Sequence, residues 1–340
     1  MEALWACLTC SQRPSLRINS QSYSIVRLLG EGGYAYVYLV VQGGSDKLFA
    51  LKKIRCMFGG ESVANAMHEV EAGNVFKFSD HISNLVDSAV VQEDDGTKTV
   101  YIIMPYYSKG SLQDLITDKV MSNEYFAEKD VVKYALGMAR AIEVLHTYRS
   151  RVPVRSNELS EDEAGHLLSN TPEEGGSVSM GDLLPYAHRD IKPANVMLGT
   201  DSSNAVLIDL GFCSPARVHA SSRKEAVQLQ DLAAEHCTLP FRAPELFDVR
   251  TGSTIDEKVD IWAFGCTLFN LMYLTSPFER EEQVSGANVK ISVLGGKFSF
   301  PEEPLYSTDL RGLISMCLQV KPAERTAIET VIEKLEQLSN

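Results

Sequence analysis

The sequence predicts an α+β protein of two lobes. Three observations carry the prediction. Residues 24–54 alternate apolar and polar side chains between glycine turns, the period of a half-buried antiparallel meander. Beyond Tyr107, apolar residues recur instead at spacings of three and four, the period of helices packed on a core. The strand-rich part comes first and the helix-rich part follows, which is the arrangement of an α+β fold.

Taken in order, Ile25 to Leu29 reads as a strand and Gly30-Glu31-Gly32-Gly33 as a tight turn. Tyr36 to Val41 is a second strand, Gly43-Gly44-Ser45-Asp46 a second turn, and Leu48 to Ile54 a third strand. A helix follows over roughly Glu61 to Phe78, then a hairpin from Val90-Val91 and Val100 to Met104 around Asp95-Gly96. In the second part, Val132, Ala135, Leu136, Ala139, Ile142 and Leu145 mark one helix, and Val259 to Leu274 and Leu310 to Leu318 suit buried helices. The stretch 149–185 breaks the pattern. It is rich in Ser, Gly, Glu and Pro, with seven acids and three bases, and reads as a disordered insertion.

The 340 residues, 44% hydrophobic and 23% charged, are enough for a sizeable core and too polar for a membrane bundle. Thirty-two bases against 45 acids give a net charge of −13, so no nucleic-acid partner is expected. Seven scattered cysteines are no secreted disulfide framework and fit a reducing cytosol. Cys7 and Cys10 form a C-x-x-C pair, but no second pair follows at zinc-site spacing. No stretch approaches the roughly 18 uninterrupted apolar residues of a membrane span. The apolar patch near the N-terminus lacks a preceding basic region and does not read as a secretory signal.

Gly30-x-Gly32-x-x-Ala35-x-Val37 lies between two strands, where glycine lets backbone N–H groups approach a phosphate. Such hairpins are also common structural turns, and the lack of a following helix argues against a Rossmann site. Lys52, in Phe49-Ala50-Leu51-Lys52, sits inside an apolar strand and needs a partner for its charge. Glu69 on the next helix is the expected partner, with Glu71 as the alternative if the helix register differs. Lys53 is the better candidate for a solvent-facing lysine.

The most informative run is His188-Arg189-Asp190-Ile191-Lys192-Pro193-Ala194-Asn195. Ile208 then leads into Asp209-Leu210-Gly211, followed by Ala243-Pro244-Glu245 and Asp260-x-Trp262-x-x-Gly265. In this ordered set the chain resembles the eukaryotic protein kinases, from about Tyr23 to the C-terminus apart from the insertion. The resemblance implies a bilobal protein kinase fold. An antiparallel-sheet lobe with one helix, and the hinge, would occupy 23–107. A larger, mostly helical lobe would occupy 108–340, interrupted by 149–185, with 1–22 as a tail. It implies transfer of the γ-phosphate of ATP to Ser or Thr of protein substrates, itself included, with Mg²⁺, or Mn²⁺ in its place.

Phosphoryl transfer asks for positioning and charge neutralisation more than for covalent chemistry. On the resemblance, Asp190 accepts or orients the substrate hydroxyl proton, Lys192 sits by the transferring phosphate, and Thr238 touches both. Asn195 and Asp209 offer hard oxygen ligands to the metal. Lys52, fixed by Glu69, holds the α- and β-phosphates under the loop of Gly30, Glu31, Gly32 and Gly33. Val37 and Ala50 cover adenine, Met104 is the gatekeeper, and the Pro105 carbonyl and Tyr107 N–H meet the base. Lys192 and Thr238 follow the Ser/Thr pattern, and Glu245 is expected to form a buried bridge with Arg325. None of the chemical positions is lost, which favours an active enzyme over a non-catalytic scaffold on the same fold.

The segments LLGEGGYAYVYLV (28–40), MPYYSKGSL (104–112) and LQDLAAEHCT (229–238) are similar to the Numb-associated kinase family. That family implies a helix in the activation segment. Lys224 to His236 has helical spacing, with Val227, Leu229, Leu232 and Ala233 as its expected apolar face. Glu2 stands where the family carries a myristoylated glycine, whereas Cys7 and Cys10 stand where it carries palmitoylated cysteines. With Leu4, Trp5, Leu8, Arg13 and Arg17 around them, the two thiols read as an S-acylated membrane anchor; an unmodified tail is the plainer alternative. The family implies a trafficking or membrane-fusion role on the cytoplasmic face of Golgi or vacuolar/lysosomal membranes, with a cytosolic pool. A monomer is expected.

Arg189, with Arg217 and Arg223 near Ser214, Ser221 and Ser222, matches an activation segment organised by a phosphate. A helix at 224–236 that holds the segment ready is the alternative, and constitutive activity with autophosphorylation is the expectation. The insertion is read as a spacer, with a phospho-acceptor segment (Ser160, Thr171) or a docking site as alternatives.

Overall fold

The computed structural model describes residues 14–32, 35–57, 60–153, 178–199 and 204–339. Cys7, Cys10, Gly33, Ser160 and Thr171 lie outside these residues.

Six strands make the sheet of the first lobe: β1 (Ser15–Ile18), β2 (Gln21–Glu31), β3 (Ala35–Gln42), β4 (Leu48–Cys56), β5 (Asp87–Gln92) and β6 (Lys98–Pro105). Their order is β1-β2-β3-β4-β6-β5, antiparallel throughout. The three meander strands and the hairpin expected from the sequence are all present. Gly96 at the hairpin tip has φ +82°, a left-handed conformation that glycine adopts without steric cost.

Successive side chains of a strand point to opposite faces, and this sorts β4. Leu51 packs with Val40, Tyr101 and Ile103 on one face. Lys52 lies on the other, paired with Ile102, whose face packs Val100 and Cys56 against Ala66 and Val70. Those last two residues belong to α1 (Gly60–Val75), so the helix that carries Glu69 lies over the lysine's face. The helix stops at Val75, short of the expected Phe78. The chain turns there, with the Ser79 N–H bonded to the Phe76 carbonyl at 2.9 Å.

The second lobe is helical: α2 (Leu112–Ser122), α3 (Glu128–His146), α4 (Arg223–His236), α5 (Lys258–Tyr273), α6 (Pro277–Ser285), α7 (Val289–Gly295), α8 (Thr308–Cys317) and α9 (Ile328–Ser339). Helix α5 is buried from Val259 to Tyr273, as a helix apolar on all sides must be, and α3 and α8 pack on it. Both α2 and α6 begin with a capping box, Ser111 with Asp114 and Ser276 with Glu279, which satisfies backbone donors at each start. At the borders of the acidic stretch, β7 (Arg149–Pro153) and β8 (Val178–Leu183) pair antiparallel. The architecture is the expected bilobal α+β one.

The expected apolar face of α4 needs correction. Ala226 and Ala233 are buried and Leu229 packs against the core, but Val227 and Leu232 are 43% and 54% exposed. Residues spaced i, i+3 and i+7 share one helical face, and 226, 229 and 233 take it, so 227 and 232 fall on its flanks. The five described cysteines, Cys56, Cys213, Cys237, Cys266 and Cys317, are unpaired and buried. No helix among the described residues is long and apolar enough to cross a membrane.

Candidate active site

Two charged clusters gather the expected site residues. In the first, Lys52 Nζ lies 2.7 Å from Glu69 Oε2 and 2.7 Å from Asp209 Oδ1. Glu69 therefore meets the lysine, while Glu71 points to solvent. Burial opposes the Lys52 charge, but the two carboxylates outweigh it and lift its pKa above the ordinary value. Burial also works against an ionised Asp209, yet the attraction of Lys52 holds its pKa below the usual carboxylate range. Asp209 has φ +64° and begins a tight turn over Leu210 to Phe212, with Leu210 buried.

The second cluster centres on Asp190. Its Oδ1 accepts from Thr238 Oγ1 at 2.7 Å and from the Thr238 N–H at 3.2 Å. Its Oδ2 accepts from Lys192 Nζ at 2.7 Å and from Asn195 Nδ2 at 2.9 Å. Lys192 also donates to Thr238 Oγ1 at 2.8 Å, which closes the ring. Every carboxylate oxygen of Asp190 is thus aimed by at least two donors.

The loop carrying Asp190 is held by a residue whose role sequence reasoning left unassigned. Asp260, on α5 and 0% exposed, accepts from the His188 N–H at 2.8 Å and the Arg189 N–H at 2.9 Å. His146 Nε2 approaches the same carboxylate at 3.1 Å. Burial raises the Asp260 pKa, but the hydrogen bond and charge of His146, the charge of His188 and the Arg189 N–H pull it below the ordinary value. An aspartate inside an otherwise apolar helix was the available signal, because a buried charge requires partners. His188 Nε2 meets the Ile208 carbonyl at 2.9 Å and so links the loop to the segment before Asp209.

Arg189 turns to the activation segment. Its guanidinium donates to the carbonyls of Phe212 and Pro215 (3.3 and 2.9 Å) and to Ser214 Oγ. Arg217 pairs with Glu257 at 2.8 Å, and Ser222 caps α4 by accepting from the Glu225 N–H. His236, at the end of α4, stacks on Phe212 with ring centroids 3.5 Å apart. The Glu245–Arg325 bridge forms as expected, bidentate at 2.7 and 2.6 Å, with the arginine side chain fully buried.

Among the residues expected to receive the base, Ala50 pairs with Met104, Phe49 with Pro105 and Val37 with Lys52 across the sheet. The Gly30–Ala35 hairpin pairs Gly30 with Val37 and Glu31 with Tyr36, and the Gly32 N–H meets the Ala35 carbonyl at 2.8 Å.

The protein kinase domain family matches residues 23–152 and 185–335, passing over the acidic stretch between them. The chain is 39% identical over 319 residues to serine/threonine-protein kinase ppk13 of Schizosaccharomyces pombe, covering 94% of this chain and 91% of that one. It is 38% identical over 344 residues to serine/threonine-protein kinase ENV7 of Saccharomyces cerevisiae, covering 95% and 94%. It is 30% identical over 333 residues to serine/threonine-protein kinase 16 of Mus musculus, covering 98% and 95%. With the family pattern spanning both lobes and such relatives aligned over nine-tenths of each chain, the chain belongs to the protein kinase domain family and is an ATP-dependent serine/threonine protein kinase.

Proposed function

We propose that Asp190 orients the substrate serine or threonine hydroxyl and takes its proton, while Lys192 steadies the phosphoryl group in transfer. The supporting observation is the ring of donors that aims both Asp190 oxygens. A largely dissociative transition state rewards such positioning more than strong basicity. Thr238 ties this ring to the activation segment, so the segment's placement and the base's orientation are one event.

Lys52, held by Glu69, takes the α- and β-phosphates, and the backbone of the loop from Gly30 and Glu31 through Gly32 and Gly33 covers them. Asn195 and Asp209 fit Mg²⁺, or Mn²⁺, by donor type: a carboxylate oxygen, and an amide oxygen whose nitrogen is already engaged by Asp190. When bound, the metal neutralises phosphate charge. Val37, Ala50, Met104, Pro105 and Tyr107 receive the adenine. Pro105 contributes only its carbonyl, so its missing N–H is no obstacle.

The reading extends to subfamily and regulation. Helix α4 and the likeness to serine/threonine-protein kinase 16 support a Numb-associated kinase. Arg189 is occupied by the activation segment itself and Arg217 by Glu257, so we read the kinase as constitutively active, with autophosphorylation as a by-product. S-acylation of Cys7 and Cys10 would then tether it to Golgi or vacuolar/lysosomal membranes, where it would act on proteins of trafficking or fusion.

The decisive experiment is Mg-ATP-dependent phosphate incorporation into a general acceptor. Wild type incorporates and Asp209→Ala does not; incorporation surviving that change points to a contaminant and sinks the residue assignment. Phosphatase treatment leaves activity in place, whereas complete loss refutes constitutive activity. Hydroxylamine-sensitive acyl labelling that persists in the Cys7→Ser, Cys10→Ser variant refutes the anchor.

A further inference from the structure

We infer that His236 is a positioning residue: its ring, stacked on Phe212, fastens the end of α4 to the Asp209 turn and sets the acceptor side of the site and the metal side in register. This role rests on the duties proposed above for Asp190 and Asp209.

Each ring belongs to a different cluster. Phe212 closes the 210–212 turn, three residues after Asp209. Helix α1 packs against that turn, and a Cβ on Gly211 would touch the carboxylates of Asp209 (3.8 Å) and Glu69 (3.9 Å). Phe212 is thus part of the framework around Lys52. His236 is the last residue of α4 and stands two residues before Thr238, whose hydroxyl meets both Asp190 and Lys192. Arg242 donates to the carbonyls of Ala234 and Cys237 at 3.1 and 2.7 Å, which holds the helix end and the approach to Thr238 together. A contact between the two rings is therefore a side-chain bridge from one cluster to the other.

The ring planes are 20° apart, so the rings meet face to face. His236 Nε2 is 3.6 Å from Glu235 Oε2, beyond hydrogen-bond reach. Burial lowers the His236 pKa against the pull of Glu235, Asp190 and Asp209, so the ring is uncharged at neutral pH. What it offers Phe212 is a flat face, which excludes water and attracts by dispersion. Both rings are half-buried and stand outside the hydrophobic core, so the stack is not a piece of general core packing. The Asp209 turn has a separate fastening on its other side. There the Ile208 carbonyl meets His188 Nε2 at 2.9 Å, and the Ile208 N–H donates to the Asn195 carbonyl at 3.0 Å. Loss of the stack leaves that fastening in place, so the effect is partial rather than total.

The test uses the full chain, a serine peptide and Mg-ATP. His236→Gln keeps a polar, helix-compatible side chain but has no ring. It lowers kcat/KM for the peptide about tenfold, equivalent to about 1.4 kcal/mol, and raises the Mg²⁺ concentration for half-maximal rate about threefold. His236→Phe restores the flat face and keeps both values within about twofold of wild type. Phe212→Leu reproduces His236→Gln, and the double variant is no worse than either single change, as expected of residues that act through one contact. Four results overturn the inference: His236→Gln within about twofold of wild type, no recovery in His236→Phe, additive losses in the double variant, or a loss for the peptide with the Mg²⁺ requirement unchanged. A His236→Gln chain that does not fold overturns it too, because the residue then supports the fold rather than the register. If Phe212→Leu does not fold, His236→Gln against His236→Phe decides alone. Asp209→Ala tests the underlying duties: activity that survives it removes both readings, whereas its loss beside an unaffected His236→Gln defeats the positioning role alone.

Discussion

The two charged clusters are built in different ways. Lys52, Glu69 and Asp209 come from a strand, a helix and a turn separated by 17 and 157 residues. Asp190, Lys192 and Asn195 come from one short loop, and only Thr238 is brought from a distance. The first cluster exists only while α1 is pressed against the sheet and the Asp209 turn comes up beneath it. The second is largely prefabricated, because Asp260 grips the loop's backbone from inside the most buried helix. A kinase gains from this division: the groups around Asp190 share one loop gripped by Asp260, and the groups around Lys52 meet only where three separate elements pack together.

Four changes test that division, in descending order of effect. Asp190→Asn changes little of the second cluster's volume but removes the proposed proton acceptor, and kcat should fall about 10³-fold in steady-state assays with KM for ATP little changed. Asp260→Asn breaks a buried charge network and should lower stability by about 3 kcal/mol in denaturant titration, with kcat falling as the loop loosens. Glu69→Gln weakens only the assembled cluster. It should cost about 10- to 100-fold in kcat/KM while the folding transition stays near wild type. If it instead unfolds the protein, the first cluster is structural and the proposed division is wrong. Thr238→Ala removes one neutral donor and should cost about tenfold or less in kcat.

Acid sharpens the same contrast. The folded-state pKa of Asp260 is depressed, so it binds its proton less readily when folded than when unfolded. Its contribution to stability is complete above the ordinary aspartate value of about 3.9 and is lost as pH falls through the folded-state value. Asp260→Asn should therefore show a flatter acid limb than wild type in pH-dependent unfolding.

Much of this architecture was legible in the sequence, for identifiable reasons. The meander strands alternate cleanly because one face of each packs on a core, and glycine or Asp-Gly marks the turns. Lys52 announced its need for a partner by standing among apolar neighbours, and Glu69 supplied it. Two features were not legible. The apolar face of α4 is hard to read from sequence because alanines at 226 and 233 form its buried seam, while the larger residues at 227 and 232 lie on its flanks. Asp260 was recognised as part of a pattern, but periodicity cannot reveal that a carboxylate will hold two N–H groups some 70 residues away in sequence.

The buried cysteines have a practical consequence of their own. Burial pushes the thiols of Cys237 and Cys317 up to about 12 and raises those of Cys56, Cys213 and Cys266. The thiolate, not the thiol, is the nucleophile, so burial slows the reaction of these five with alkylating reagents at neutral pH while the fold is intact. A maleimide applied to native kinase therefore leaves these five largely unlabelled. After denaturation these five react, and the gain in label becomes an internal gauge of how much of a preparation is folded.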